Sequence, residues 1–180
     1  MKTLFTFVLL SFPMLAFGTN HLPNVIEQNS SLYERCKSYT LRYGFILKVA
    51  EIGWYSPNCS TTEPVLQATN KIIRFHYLKN VSADFFKQSA EEYFLINLND
   101  SEQLSTLKQP LTEFNANYTD IKAGEYFDLV HLDENHLSLY KNKELLSQSN
   151  NKLLSTNYFN IWFGEKPVID KLKSTFQLSN

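Results

Sequence analysis

The sequence predicts an α+β domain built on an antiparallel sheet, and three observations carry that reading. Residues 39–55 and 71–78 alternate side chains with the period of two that a pleated strand imposes. Residues 85–94 place Phe85, Phe86, Ser89, Ala90, Tyr93 and Phe94 three and four apart, the stripe of an amphipathic helix. Strand-like runs come first, helices follow, and a hairpin and further helices close the chain, which suits an antiparallel sheet with helices gathered together. At 180 residues, 43% hydrophobic and 19% charged, the composition is that of one ordinary globular domain.

The chain opens on an address. Lys2 supplies a positive charge, Leu4 to Phe17 is nearly all apolar, and Ala16-Phe17-Gly18 offers small residues for cleavage. Residues 1–18 therefore read as a signal peptide, with residues 19–180 as the mature domain in a periplasmic or secreted location. The competing reading is a retained anchor, but the run is too short for a bilayer core of about 30 Å. No later stretch approaches that length, so no stable membrane insertion is expected after cleavage. Export bears on Cys36 and Cys59: an oxidising compartment permits a disulfide worth about 3 kcal/mol, and the alternative is two unpaired thiols.

Asn20 to Ser31 reads as a polar lead-in with one short extended piece. From Tyr39 to Tyr55, Leu41, Tyr43, Phe45, Leu47 and Val49 fall on one side, and Arg42, Gly44, Ile46, Lys48, Ala50 and Ile52 on the other. This is one long strand or two strands meeting near Gly44 or Gly53, closed by a turn at Ser56-Pro57-Asn58. Lys71 to Leu78 forms the next strand, with Ile73, Phe75 and Tyr77 on one face. Ser82 caps the first helix and Asp84 faces its positive dipole end. A second helix starts near Asp100 or Ser101, and Pro110 is expected to kink or divide it. Tyr126 to Leu132 and His136 to Tyr140 flank a polar break as a β-hairpin, and Asn142-Lys143-Glu144 turns the chain again. Leu154, Tyr158, Ile161 and Trp162 repeat at helical spacing, Gly164 is placed for a left-handed cap, and Pro167 starts the last helix.

Charge and motif content exclude more than they assign. With 17 basic and 18 acidic residues the chain has no basic field to displace counterions, so no nucleic-acid partner is expected. His131 and His136 sit across a hairpin turn, but no spacing of the HExxH kind exists, and the histidines read as surface residues with no metal site. Glu91-Glu92 lies within one helical turn and the two point apart, no glycine loop cradles phosphate, and no nucleophile stands beside a histidine. No cofactor is implied. One position invites a ligand: Arg42, in phase with Lys48 and Ala50 on the mixed strand face, is able to anchor a carboxylate or phenolate whose apolar body lies in a cleft. The competing reading pairs it with Glu51, Glu125 or backbone carbonyls. Trp54, Trp162, Phe85 and Phe86 read as core.

Thr40 to Pro57 (TLRYGFILKVAEIGWYSP) resembles the opening of bacterial chalcone isomerase-like proteins, and KVAEIGWY is similar to the corresponding stretch of plant chalcone isomerases. The likeness continues in order through IIRFHYLKNVSADFF, Ala123-Gly124-Glu125, Asn151 to Ser155 and Asn160 to Gly164, covering roughly residues 38–177. The resemblance implies an open-faced β-sandwich, a long antiparallel sheet with a helical layer on one face. The plant enzymes close a flavanone ring with an Arg, a Thr, a Tyr, an Asn and a Ser or Thr. Carried over, only the arginine survives, at Arg42. The Thr position falls at Ala50, the helical Tyr at Phe85 or Phe86 and the late Ser or Thr at Ile161, while the Asn finds no counterpart. Val49 stands where the family has Asp, and Asn142-Lys143 lacks the glycine of its turn. Losing several orienting hydrogen bonds costs orders of magnitude in rate, at about 1.4 kcal/mol per tenfold.

The resemblance thus implies an exported, non-catalytic protein that binds a fatty acid or similar small amphipathic ligand, as non-catalytic relatives do through the retained arginine. The candidate ligand-binding residues are Arg42, Lys48, Ala50, Phe85, Phe86 and Ile161. The rival reading is an isomerase or lyase acting on a non-chalcone substrate.

Overall fold

The structure is a computed structural model describing residues 21–59, 63–98 and 101–177. The expected signal peptide at 1–18 lies outside the described residues. Seven strands run in chain order across one antiparallel sheet. They are β1 (Val25–Gln28), β2 (Ser31–Tyr43), β3 (Leu47–Ser56), β4 (Lys71–Tyr77), β5 (Tyr126–His131), β6 (Leu137–Lys141) and β7 (Glu144–Ser149). Helices α1 (Ala83–Leu95) and α2 (Ser101–Asn115) fill the β4–β5 connection, and α3 (Lys152–Asn157), α4 (Asn160–Phe163) and α5 (Asp170–Phe176) follow β7.

The turns show why the sheet is a meander. Asn29-Ser30 and Asn142-Lys143 place both central residues at positive φ, the mirror-image geometry whose twist matches the flanking strands. Asn142-Lys143 reaches it without glycine, at the turn the sequence predicts, and β7 follows, a strand the sequence does not predict. Between β2 and β3 the chain reverses at 44–46, with Gly44 at φ 61°, so the long alternating run is two strands.

The helices pack on one face. Ile52, Trp54, Ile73, Phe75, Phe127 and Leu129 of the sheet join Phe94, Leu107, Leu111, Tyr158, Leu172 and Phe176 in the main core. Each such side chain contributes about 1.5–3 kcal/mol by leaving water. Ser82 caps α1 by accepting from the Phe85 amide at 3.4 Å. Of the expected kink or division at Pro110, division does not occur: α2 runs on through the proline, with Leu107 and Leu111 buried against the core on either side of it. Gly164 is not left-handed, at φ −70°; a Cβ there would meet Asn97 Oδ1 at 2.5 Å and Asn160 O at 2.6 Å, so close approach is what calls for glycine.

The opposite face has a smaller apolar cluster, Ile26, Tyr33, Tyr55, Ile72 and Val130. Beside it Arg74 donates to both Asp128 oxygens at 2.7 and 2.6 Å, and its guanidinium stacks on the Tyr126 ring at 3.9 Å. The segment before β1 crosses this face: Tyr55 donates to the Pro23 carbonyl at 2.9 Å, and His21 stacks on His76 at 4.6 Å. Cys36 of β2 pairs with Cys59, just past β3, with the Cα atoms 5.0 Å apart.

His76 and His131 are buried rather than on the surface, because β4 and β5 are interior strands. His131 is level with Lys71 across the β4–β5 ladder. Lys71, 1% exposed, donates to the Leu66 carbonyl at 2.8 Å and lies 4.3 Å from the centre of the Phe159 ring. Burial lowers its pKa from 10.5 to about 7, with Glu63 opposing the shift. Between those values the unfolded chain holds a proton that the folded chain does not, so stability rises with pH across this window. Lys71→Met is expected to remove up to about 1.4 kcal/mol per pH unit from that slope in urea unfolding. An unchanged slope in the variant would show that Lys71 is not its source.

Candidate functional site

A cavity of about 470 Å³ lies between the sheet and α1, within the range of small-molecule sites. Leu41, Val49, Ala50, Ile52, Phe75 and Tyr77 of β2, β3 and β4 form its sheet wall. Phe85, Phe86, Ser89 and Ala90 of α1 form the facing wall, and Tyr118, Ile161 and Trp162 lie among the residues that close it. Phe85, 58% exposed, marks its mouth, and Leu41, Val49 and Ser89 are among the half-buried residues of its lining.

A register shift in the β2–β3 ladder sets the sheet wall. Leu41 pairs with Ala50 and Arg42 with Lys48, leaving Val49 as an extra residue. Such a bulge turns two successive side chains toward one face, and Val49 and Ala50 both line the cavity. The same shift puts the next pair out of phase with the cavity. Arg42 and Lys48 are exposed, neither lines it, and Arg42 Nη1 donates to the Ile46 carbonyl at 3.4 Å. The expectation that Arg42 and Lys48 stand over the cleft is therefore corrected: strict alternation carried Arg42, Lys48 and Ala50 onto one face, and the bulge separates them.

Ala50, Phe85, Phe86 and Ile161, from three separate parts of the chain, do meet in the cavity. Phe86 is the prop between its walls, with ring centres 5.4 Å from Tyr77, 5.6 Å from Tyr118 and 5.2 Å from Phe127. Phe86 and Trp162 pack against the main core and also line the hollow, Phe85 lines it from the surface, and Trp54 is core.

The polar groups of the lining are few. No Asp, Glu, Lys, Arg, His or Cys lines the cavity among the described residues, which leaves chiefly the hydroxyls of Tyr77, Ser89 and Tyr118. Tyr158 donates to Asn115 Oδ1 at 2.7 Å, so its oxygen is left to accept from the Tyr118 hydroxyl at 3.2 Å. Burial pushes the Tyr118 phenol up to about 12 and raises that of Tyr77 further, so both are neutral at ordinary pH. With its proton given to Tyr158, the Tyr118 hydroxyl keeps only acceptor capacity, so Tyr77 and Ser89 are the lining residues with a hydroxyl proton to offer a bound molecule. A naked charge inside would be expensive, so a charged head must stay in water at the mouth. Sequence reasoning did not single out Tyr77 or Tyr118. Tyr77 was placed on the correct strand face, but Tyr118 lies in a polar stretch with no periodicity to mark it as buried. Among the described residues no group of acidic, histidine or cysteine side chains is arranged to hold a metal ion.

An antiparallel meander, roofed by helices on one face and hollowed beneath the first of them, defines an open-faced α+β sandwich with an uncharged cleft. A profile of the chalcone isomerase-like family matches residues 25–176, and the chain belongs to that family. It is also similar to the crystal structure of a fatty-acid binding protein of Arabidopsis thaliana, with a TM-score of 0.58 and 15% identity over 87% of this chain and 90% of that one. At that identity the likeness is one of fold. No match was found among curated proteins.

The adjacent phenylalanines differ in what they hold up. Phe86→Ala removes the prop and is expected to destabilise by about 2–4 kcal/mol, while Phe85→Ala at the mouth costs under about 1 kcal/mol. Urea unfolding of the two variants checks the difference, and equal losses would contradict the wall assignment.

Proposed function

We propose that the protein binds a fatty acid or a similar small amphipathic molecule without transforming it, the apolar tail in the cavity and the polar head at the mouth. The observation that carries this reading is a lining that has no charged side chain among the described residues, around about 470 Å³. A lining of aliphatic and aromatic side chains favours an apolar body, and its hydroxyls offer orientation rather than ionic grip. The fatty-acid binding protein of similar fold supports the same class of ligand. We propose further that this is an exported member of the bacterial branch, periplasmic or secreted. The leader-like residues 1–18 and the Cys36–Cys59 pair support that location.

Among the described residues no cation lines the cavity, which separates this account from one based on Arg42. A fluorescent fatty acid titrated into the protein is expected to saturate at one site. Ala50→Phe or Ser89→Phe, which narrow the cavity from opposite walls, weaken binding at least about tenfold, a loss of about 1.4 kcal/mol. Arg42→Ala leaves affinity within about twofold, and the methyl ester of a fatty acid competes about as well as the acid. Absence of saturable binding, or affinity untouched by both cavity variants in folded protein, would refute the proposal.

A further inference from the structure

The β2–β3 hairpin ends in side chains that ordinary hairpin tips avoid. Phe45 is 99% exposed, Ile46 88%, Tyr43 79% and Leu47 44%. They form a continuous apolar tip around Gly44, whose φ of 61° sets the reversal. Immediately behind it, Arg42 and Lys48 pair directly across the two strands. Both are exposed, and neither joins an ion pair among the described residues. From residue 38 to residue 50 there is no Asp or Glu. Like charges facing each other in a ladder repel, so the fold keeps an unfavourable pair just where an apolar tip meets water.

We propose that this tip inserts into an anionic lipid surface, the apolar side chains entering the head-group region and Arg42 and Lys48 meeting lipid phosphates. Anionic head groups relieve the repulsion between the two cations, and their aliphatic stems reach along the apolar boundary. A second copy fits worse, because a symmetric tip-to-tip contact brings the two cation pairs toward each other. Leu41 and Val49, the next residues inward, line the cavity. A docked tip therefore brings the Leu41–Val49 end of the cavity toward the bilayer, the source of an amphipathic ligand. The insertion rests on the hairpin and not on the ligand's identity.

The test uses the full chain carrying Phe45→Trp, with the parent chain as background for Trp54 and Trp162. Vesicles of phosphatidylcholine, with and without phosphatidylglycerol and with brominated acyl chains, report on the indole at the tip. The expected result is a blue-shifted, bromine-quenched emission on vesicles containing phosphatidylglycerol. It should be at least about tenfold weaker in lipid concentration on phosphatidylcholine alone, and equally weakened by adding Arg42→Glu and Lys48→Glu. The charge-reversed chain retains residues 1–18, so it also controls for binding through the leader. Emission that stays water-like on anionic vesicles, or insertion indifferent to both lipid charge and charge reversal, overturns the proposal. A shift that grows with protein concentration without vesicles assigns the tip to a second copy and also overturns it. Fatty-acid titration of the same variants in solution separates the two accounts: retained binding with no insertion removes the docking surface alone.

Discussion

Small side chains facing one another across the gap between β3 and α1 are what the rest of the molecule depends on. Ala50 comes from the sheet, Ser89 and Ala90 from the helix, and the space they leave is bounded by aromatic rings. Protein interiors otherwise pack as densely as organic crystals. A sealed and empty void of about 470 Å³ would cost on the order of 11 kcal/mol at roughly 24 cal/mol per Å³. That is comparable to the whole stability of a domain, about 5–15 kcal/mol. The hollow is therefore open at Phe85, and its uncharged lining gives water few partners. An apolar guest fills it at a gain where water does not.

The surroundings hold that gap open from both sides. Phe86 spans it against Tyr77, Phe127 and Tyr118, and Phe94 packs on Tyr158 farther along α1. On the far face, the Arg74–Asp128 pair and the strap formed by the segment before β1 cover strands that carry no helices. One side of the sheet is closed by local hydrogen bonds and stacking, and the other is left with space.

Most of the architecture was legible because it depends on periodicity. The β4 alternation, the Ser82 cap and the α1 stripe are local signals that tertiary packing reinforces. What escaped lacked a period or depended on backbone geometry or on distant contacts. β7 was missed because Glu144–Ser149 has only the adjacent Leu145 and Leu146 as apolar side chains, so no alternation marks it after the turn. Gly164 was misassigned because its reason is Asn97, far away in the chain. Within the site, Ala50, Phe85, Phe86 and Ile161 were found through family likeness, each apolar where the enzymes are polar. Arg42 and Lys48 were misplaced by a single extra residue, Val49, which changes the facing of everything beyond it and which period-two reasoning has no means to see.

The central claim is that an acyl chain lies between β3 and α1, and nuclear Overhauser contacts from a ¹³C-labelled fatty acid test it most directly. The account predicts contacts from the chain methylenes to Ile161, Tyr118 and Ala90, with the carboxyl end near Ser89 and Phe85. Contacts confined to exposed groups such as Phe45 and Ile46, with none to the buried lining, would contradict it.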